Sequence, residues 1–260
     1  MTGPQQVRID IDDTIAIVTL DAPHKLNSMD VEMLGELRQA IGRIEEDDSI
    51  RVSVLTGAGR SFCAGADLTM KMAPGRTVAD HLNEDHRPVL MAILDSRKPW
   101  ISAVRGAAAG IGSAYAMNCD LTVMAEDAYL YQAFGAIGLI PDGGATWHLA
   151  NTIGRKRAYE MIATGEKMPA SRCLELGLCN RVVPGERLME ETIDWARQLA
   201  QRAPLSLAYA KTAIRTAIET DVARAYDCEV ELQTKCSASK DHLEGVRAFM
   251  SKRKPEFKGR

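Results

Sequence analysis

The chain has no charge excess, no long apolar run and no metal-ligand spacing, and each absence closes off a class of function. Its 32 basic and 35 acidic residues leave a formal net charge of −3, so no global field draws it to nucleic acid or to an anionic membrane. A transmembrane helix needs roughly 20 consecutive apolar residues, and no such run occurs. The segment Met1 to Gln6 carries no basic stretch followed by an apolar one, as a secretory leader would, and a cytoplasmic protein is expected. Five histidines (His24, His81, His86, His148, His242) fall in no HExxH or HxxxH pattern, so no metal site is expected. Six cysteines (Cys63, Cys119, Cys173, Cys179, Cys228, Cys236) are scattered without a CxxC pair, which argues for reduced thiols over a disulfide frame.

What is present is ordinary material for a buried core: 46% apolar and 26% charged residues over 260 positions. The first half alternates strand and helix. Residues 7–12 and 14–20 are rich in β-branched side chains and meet at Asp12-Asp13, which predicts a hairpin. Asn27 or Ser28 is the expected cap of a helix with the stripe Met33, Leu34, Leu37, Ile41 and Ile44. Strands are predicted over 51–56, 100–104 and 121–124, with a polar, irregular segment over 69–81 and a helix over 78–94. Such alternation implies βαβ units and a largely parallel sheet. After Leu139 helical patterns dominate, over 142–151, 155–164, 171–176, 186–202, 205–219, 221–237 and 241–251, with one short strand at 181–183. An α/β core followed by an all-α region is expected, with a tail too thin to bury its own faces and therefore suited to packing on a second subunit.

Two stretches stand out because they hold so little side chain. Arg60-Ser61-Phe62-Cys63-Ala64-Gly65-Ala66-Asp67-Leu68 follows the strand at 52–57, and Arg105-Gly106-Ala107-Ala108-Ala109-Gly110-Ile111-Gly112-Ser113-Ala114 follows the strand at 100–104. Small residues around glycine let backbone N–H groups approach a bound group closely. The second stretch runs into a helix N-terminus, where free N–H groups and the helix dipole favour negative charge. Two donors from separate loops are what an oxyanion hole requires. Cys63, within the first stretch, has no paired base in the sequence, and packing explains a small residue there as well as nucleophilic chemistry does.

Taken together, and with Asp21 to Met29 at one end and Asp241 to Phe249 at the other, these stretches resemble the crotonase (enoyl-CoA hydratase/isomerase) superfamily over nearly the whole chain. The resemblance implies an α/β spiral of ββα units over residues 1–195, with an all-α oligomerisation region over 196–260. It implies a homotrimer or a dimer of trimers acting on acyl-CoA thioesters, with no cofactor, coenzyme A being part of the substrate, while the composition argues against a nucleic acid or membrane partner. By the same likeness the N–H groups of Ala66 and Ile111 match the oxyanion-hole donors. Lys25, Leu26, Ala64, Ala66, Asp67, Leu68, Gly110, Phe134 and Lys258 match positions that bind coenzyme A or acyl groups.

The glutamates that resembling hydratases use stand here as Ala114 and Phe134. Neither can activate water or deliver a proton, work that hydration normally splits between two groups. Asp142, in Gly138-Leu139-Ile140-Pro141-Asp142-Gly143-Gly144, is the remaining acid/base candidate. An Asp after Pro and before a helix also reads as a plain N-cap. The turn looks like that of the phenylacetate-degradation type of enoyl-CoA isomerase, which implies a double-bond shift between the 3- and 2-positions through a dienolate, with Asp142 moving the proton. The alternatives are hydration or another crotonase reaction, and, from a different class, a catalytically silent acyl-CoA-binding protein.

Overall fold

In a computed structural model, which describes residues 5–260, the chain opens with a hairpin. Strands β1 (Val7–Asp12) and β2 (Ile15–Leu20) pair antiparallel, Val7 opposite Leu20, and Asp13 makes the turn at φ +56°. Residues 1–4, at the start of the segment read above for a leader, lie outside the described residues.

Helix α1 (Val31–Glu46) buries the stripe Met33, Leu34, Leu37, Ile41 and Ile44, together with Ala40. Each aliphatic side chain so buried stabilises the fold by about 1.5–3 kcal/mol. Its cap differs from the sequence expectation: Asp30, not Asn27 or Ser28, accepts the N–H of Met33 at 2.8 Å. Both Leu26 (φ +54°) and Asn27 (φ +57°) are left-handed, which turns the chain away from helix before Asp30 can start one.

Strand β3 (Val52–Gly57) leads to the first small-residue loop. A helical rod then comprises α2 (Val78–Asp80), a π-helical turn (His81–His86) and α3 (Arg87–Asp95). The helix expected over 78–94 thus begins at Val78, where Thr77 and Asp80 make a reciprocal capping box, and the irregular segment read to residue 81 ends at Thr77. Strand β4 (Trp100–Val104), the short β5 (Ala107–Ala109), helix α4 (Ile111–Asn118), β6 (Leu121–Ala125) and the short β7 (Tyr129–Tyr131) follow.

Beyond these come α5 (Ala145–Thr164), β8 (Lys167–Pro169), α6 (Ala170–Leu176), β9 (Arg181–Val183) and α7 (Leu188–Ala200). Gly154, at φ +76° and ψ 161°, interrupts α5 and separates the two helices expected at 142–151 and 155–164. The chain closes with α8 (Pro204–Glu219), α9 (Val222–Ser237) and α10 (Lys240–Met250).

The main sheet runs β1-β2-β3-β4-β6-β9 and is parallel from β2 onward. Its central strands β3 and β4 are buried almost throughout, with α7 packed against both, while α1 packs on β1 and β2. A smaller sheet, β5-β7-β8, stands at the carboxyl end of β4. These three strands were not expected. Each is three residues long, and Ala107-Ala108-Ala109 carries no β-branched or alternating pattern by which to read it.

Candidate active site

Strand β5 brings the two small-residue loops together. Phe62 N donates to Arg105 O (2.7 Å), Cys63 N to Ala107 O (3.0 Å) and Ala109 N to Cys63 O (2.9 Å), so residues 62–63 run as an extra strand beside 105–109. Gly112 is required by this approach, since a Cβ there would stand 2.7 Å from Cys63 O and 2.8 Å from its Sγ. The Cys63 thiol is fully buried, and burial pushes it up to about 12. A protonated, enclosed thiol is packing material, not a nucleophile.

A step further along the two loops, at Gly65 and Gly110, the backbones touch. A Cβ on Gly65 would lie 3.0 Å from Ala109 O and 3.7 Å from the Cα of Gly110. Gly110 itself sits at φ +52°, ψ −133°, a conformation that a side chain would strain. The residues that follow these glycines are Ala66 and Ile111. Around Ala66, Met29 N donates to Gly65 O (2.8 Å) and Asp67 N to Met29 O (2.9 Å), while among the described residues the Ala66 N–H itself has no partner. Ile111 opens α4, with Gly110 N donating to Tyr131 O (2.9 Å) and Ser113 N to Gly110 O (3.0 Å). The N–H of Ile111 is likewise unpartnered among the described residues, as a first-turn helical donor is without a cap.

The segment from Lys25 to Met29 packs against the first loop. Ala64 N donates to Leu26 O at 3.0 Å, and the Lys25 ammonium lies 3.5 Å from Asp67 and in contact with Asp30. Asn27, wholly buried, ties these turns together: its amide nitrogen donates to Ala58 O (2.9 Å), Ser61 O (2.8 Å) and Phe62 O (3.2 Å), and its oxygen accepts from Ala22 N (2.9 Å). From the sequence alone, Asn27 stands out only as one of two candidate helix caps, with Ser28. Leu68 ends the loop 74% exposed.

Asp142 approaches from the other side. A Cβ on Gly143 would meet the Ile111 side chain at 2.8 Å and Ala114 Cβ at 3.0 Å, so this turn lies directly on the start of α4. The Phe134 ring reaches the Gly110 turn, its tip 3.9 Å from where a Gly110 Cβ would be. The helix cap is Gly144, at φ +83°, and no side chain caps α5, so Asp142 is not an N-cap. Its Oδ1 is buried with no hydrogen-bond partner among the described residues. Burial pushes the carboxyl up to about 6, with its own N–H and the charge of His81 pulling the other way.

Lys258 is placed elsewhere. It lines a charged cleft with Lys240, Asp241 and Glu244, and the neighbouring Phe257 O accepts from Arg51, which stands just before β3. The first loop leaves the opposite end of that six-residue strand, about 20 Å away. Within one chain, therefore, Lys25, Leu26, Ala64, Ala66, Asp67, Leu68, Gly110, Ile111, Phe134 and Asp142 come together and Lys258 does not.

The profile described as enoyl-CoA hydratase/isomerase matches residues 10–260. The chain belongs to the enoyl-CoA hydratase/isomerase family. Its crotonase fold, inferred above from the two loops, is shared with the enoyl-CoA hydratase of Bacillus anthracis at a TM-score of 0.93 and 33% identity, covering 98% of this chain and 100% of that one. Among curated relatives, the 1,2-epoxyphenylacetyl-CoA isomerase of Escherichia coli K12 is 36% identical over 250 residues, 95% of each chain. The 2,3-dehydroadipyl-CoA hydratase of the same organism is also 36% identical, over 95% of this chain and 96% of its own length. Relatives at equal identity thus carry isomerase and hydratase names, and the family as a whole acts on acyl-CoA thioesters. The helical carboxyl-terminal region, α8 to α10, is part of the shared fold.

Proposed function

We propose that this enzyme shifts a double bond between the 3- and 2-positions of an enoyl-CoA. One observation carries the reading: a half-buried, unpartnered carboxylate stands beside two free backbone N–H groups, at a site where Ala114 and Phe134 offer no second acid or base. The thioester oxygen lies between the N–H groups of Ala66 and Ile111, which stabilise negative charge as it develops there. Asp142 removes a proton from C2, the electron pair delocalises into the dienolate, and the same carboxyl supplies a proton to C4. Burial suits Asp142 to both halves, since a base near pH 6 is ionised at neutrality yet holds a proton long enough to return it. Lys25 and Leu26, with residues 64–68, form the coenzyme A side of the cleft, in a cytoplasmic enzyme without a cofactor.

The subunits assemble as a trimer or a dimer of trimers. Apolar side chains along α8 to α10 stand in solvent, among them Val222 and Phe249 at 86% exposure each, and a second copy would cover them. Such packing is also the route by which Lys258 of one copy could meet the cleft of another.

Hydration of a 2-enoyl-CoA is the second reading, favoured by the hydratase relative at 36% identity. Incubation with panels of 3-enoyl- and 2-enoyl-CoA thioesters separates them, since hydration adds the mass of water and isomerisation adds none. Loss of the isomer product in Asp142→Asn, with thioester affinity unchanged, is the expected result. Equal turnover by that variant overturns the role of Asp142, and turnover by neither protein favours a silent acyl-CoA-binding protein.

A further inference from the structure

Behind the Gly110 turn lies a buried polar chain that has no part in the scheme above. Gln132 is 1% exposed and Ser113 is fully buried. The Gln132 side chain meets the Ser113 hydroxyl at 2.8 Å, and that hydroxyl lies 2.7 Å from Gly110 O. The direction of each bond follows from what its atoms can do. A carbonyl oxygen only accepts, so the single hydroxyl proton of Ser113 goes to Gly110 O. The Ser113 oxygen is left as an acceptor, and Gln132 must face it with its amide nitrogen. Gln132 Oε1, the other half of that amide, is buried and has no partner among the described residues. An orphaned buried acceptor costs stability, and such groups are rare in folded chains.

What this chain of bonds holds is one peptide plane. Gly110 O also accepts from Ser113 N (3.0 Å), and Gly110 N donates to Tyr131 O (2.9 Å), one residue before Gln132. The end of β7 thus holds Gly110 at its N–H directly and at its C=O through Ser113. A trans peptide is planar, and its N–H points opposite to its C=O. Pinning Gly110 O therefore aims the unpartnered Ile111 N–H the other way. A hydrogen bond accepted by the C=O also polarises the peptide, which strengthens its N–H as a donor.

We infer that Ser113, oriented by Gln132, is a positioning residue that aims and strengthens the Ile111 N–H as a donor to the thioester oxygen. The inference rests on the reading of Ile111 as an oxyanion donor and is independent of the proton route through Asp142. A serine that bonds back to a carbonyl in its own helix is common by itself. Here the hydroxyl takes a second bond, from a side chain 19 residues away whose other end is left unsatisfied. An apolar side chain at position 132 would avoid the orphaned oxygen. What the amide adds in exchange is a hydroxyl fixed in direction.

The test reads the thioester carbonyl directly. Hexanoyl-CoA labelled with ¹³C at the thioester carbonyl has no double bond to shift or hydrate, and isotope-edited infrared spectra report its carbonyl stretch when bound. On the wild type the stretch should move to lower frequency than in water, as the two N–H groups draw charge onto the oxygen. Ser113→Ala should lose about half of that displacement, since one of the two donors is released. Gln132→Met should lose a smaller part, while its unfolding midpoint holds or rises because the orphaned oxygen is gone. With the thioester that the wild type converts, kcat should fall about tenfold in Ser113→Ala, with KM within about twofold. A role in packing alone would move the midpoint and leave the carbonyl stretch where it was. A wild-type stretch in every variant that folds overturns the inference, and Gln132→Met decides if Ser113→Ala does not fold. A kcat unchanged in a folded Ser113→Ala overturns it as well. Equal frequencies for hexanoyl-CoA bound to the wild type and free in water overturn the reading of the oxyanion hole instead.

Discussion

Replacing Asp142 by Asn should remove isomerisation and, at neutral pH, make the protein more stable. Burial raises the carboxyl from 3.8 to about 6, so at pH 7 the folded chain holds an ionised group in a setting that favours the neutral one. At about 1.4 kcal/mol per tenfold in proton affinity, the full penalty is about 3 kcal/mol. The carboxyl is only half-buried, and solvent screening reduces this to roughly 1–2 kcal/mol. A folded pKa above the unfolded one means that the folded state binds more protons between about pH 4 and pH 6, so stability falls as pH rises through that window. Asn carries no charge and escapes the penalty. Because Gly144 occupies the cap position, the exchange removes no helix cap.

The variant should therefore melt about 2–8 °C above wild type at neutral pH, and the gap should narrow as pH falls through about 6 and close only below the unfolded value of 3.8, at about pH 3, where Asp142 is protonated in both states. Turnover should fall by roughly 10²–10⁴-fold, and the wild-type rate should drop about tenfold per pH unit below its acid limb near pH 6. Circular dichroism melts and steady-state rates across this range check both halves. An Asn variant no more stable at neutral pH, or an advantage that persists unchanged in acid, refutes the account of a strained, desolvated base.

Other consequences follow from the same geometry. Gly112→Ala forces a Cβ within 2.8 Å of Cys63, and about 1–3 kcal/mol of overpacking should appear in denaturant unfolding together with weaker thioester binding. Asn27→Ala leaves three carbonyls and one N–H of the buried turns without their partner, and roughly 2–4 kcal/mol of stability should be lost, read from the unfolding midpoint. Light scattering should report a trimer or hexamer at micromolar concentration, and Phe249→Asp should shift it toward smaller species; a wild-type monomer would count against subunit packing through α8 to α10.

Much of the candidate site was legible because its distinctive features are carried by the backbone. Glycine and alanine at 64–66 and 106–112 announce a close approach by the absence of side chains, and Ala114 and Phe134 announce missing carboxylates in the same way. The stripe of α1, the hairpin and the breaks of the carboxyl-terminal helices follow periodicities of a few residues, which a linear reading detects. Three-residue strands such as β5 and β7 carry no such period and form only because a partner strand is already in place.

What tertiary structure alone decided concerns pairs that are distant in sequence. The desolvated environment of Asp142 depends on Ile111 and Ala114, distant in sequence, and its role as a helix cap disappears once Gly144 is seen to take it. Lys258 matches a ligand-binding position by resemblance, yet the chain folds it to the far end of β3. Desolvation is summed over every neighbouring atom, whichever part of the chain supplies it. Sequence order therefore determines which backbone can bend toward a charge, and only the assembled fold determines which side chain is left there without water.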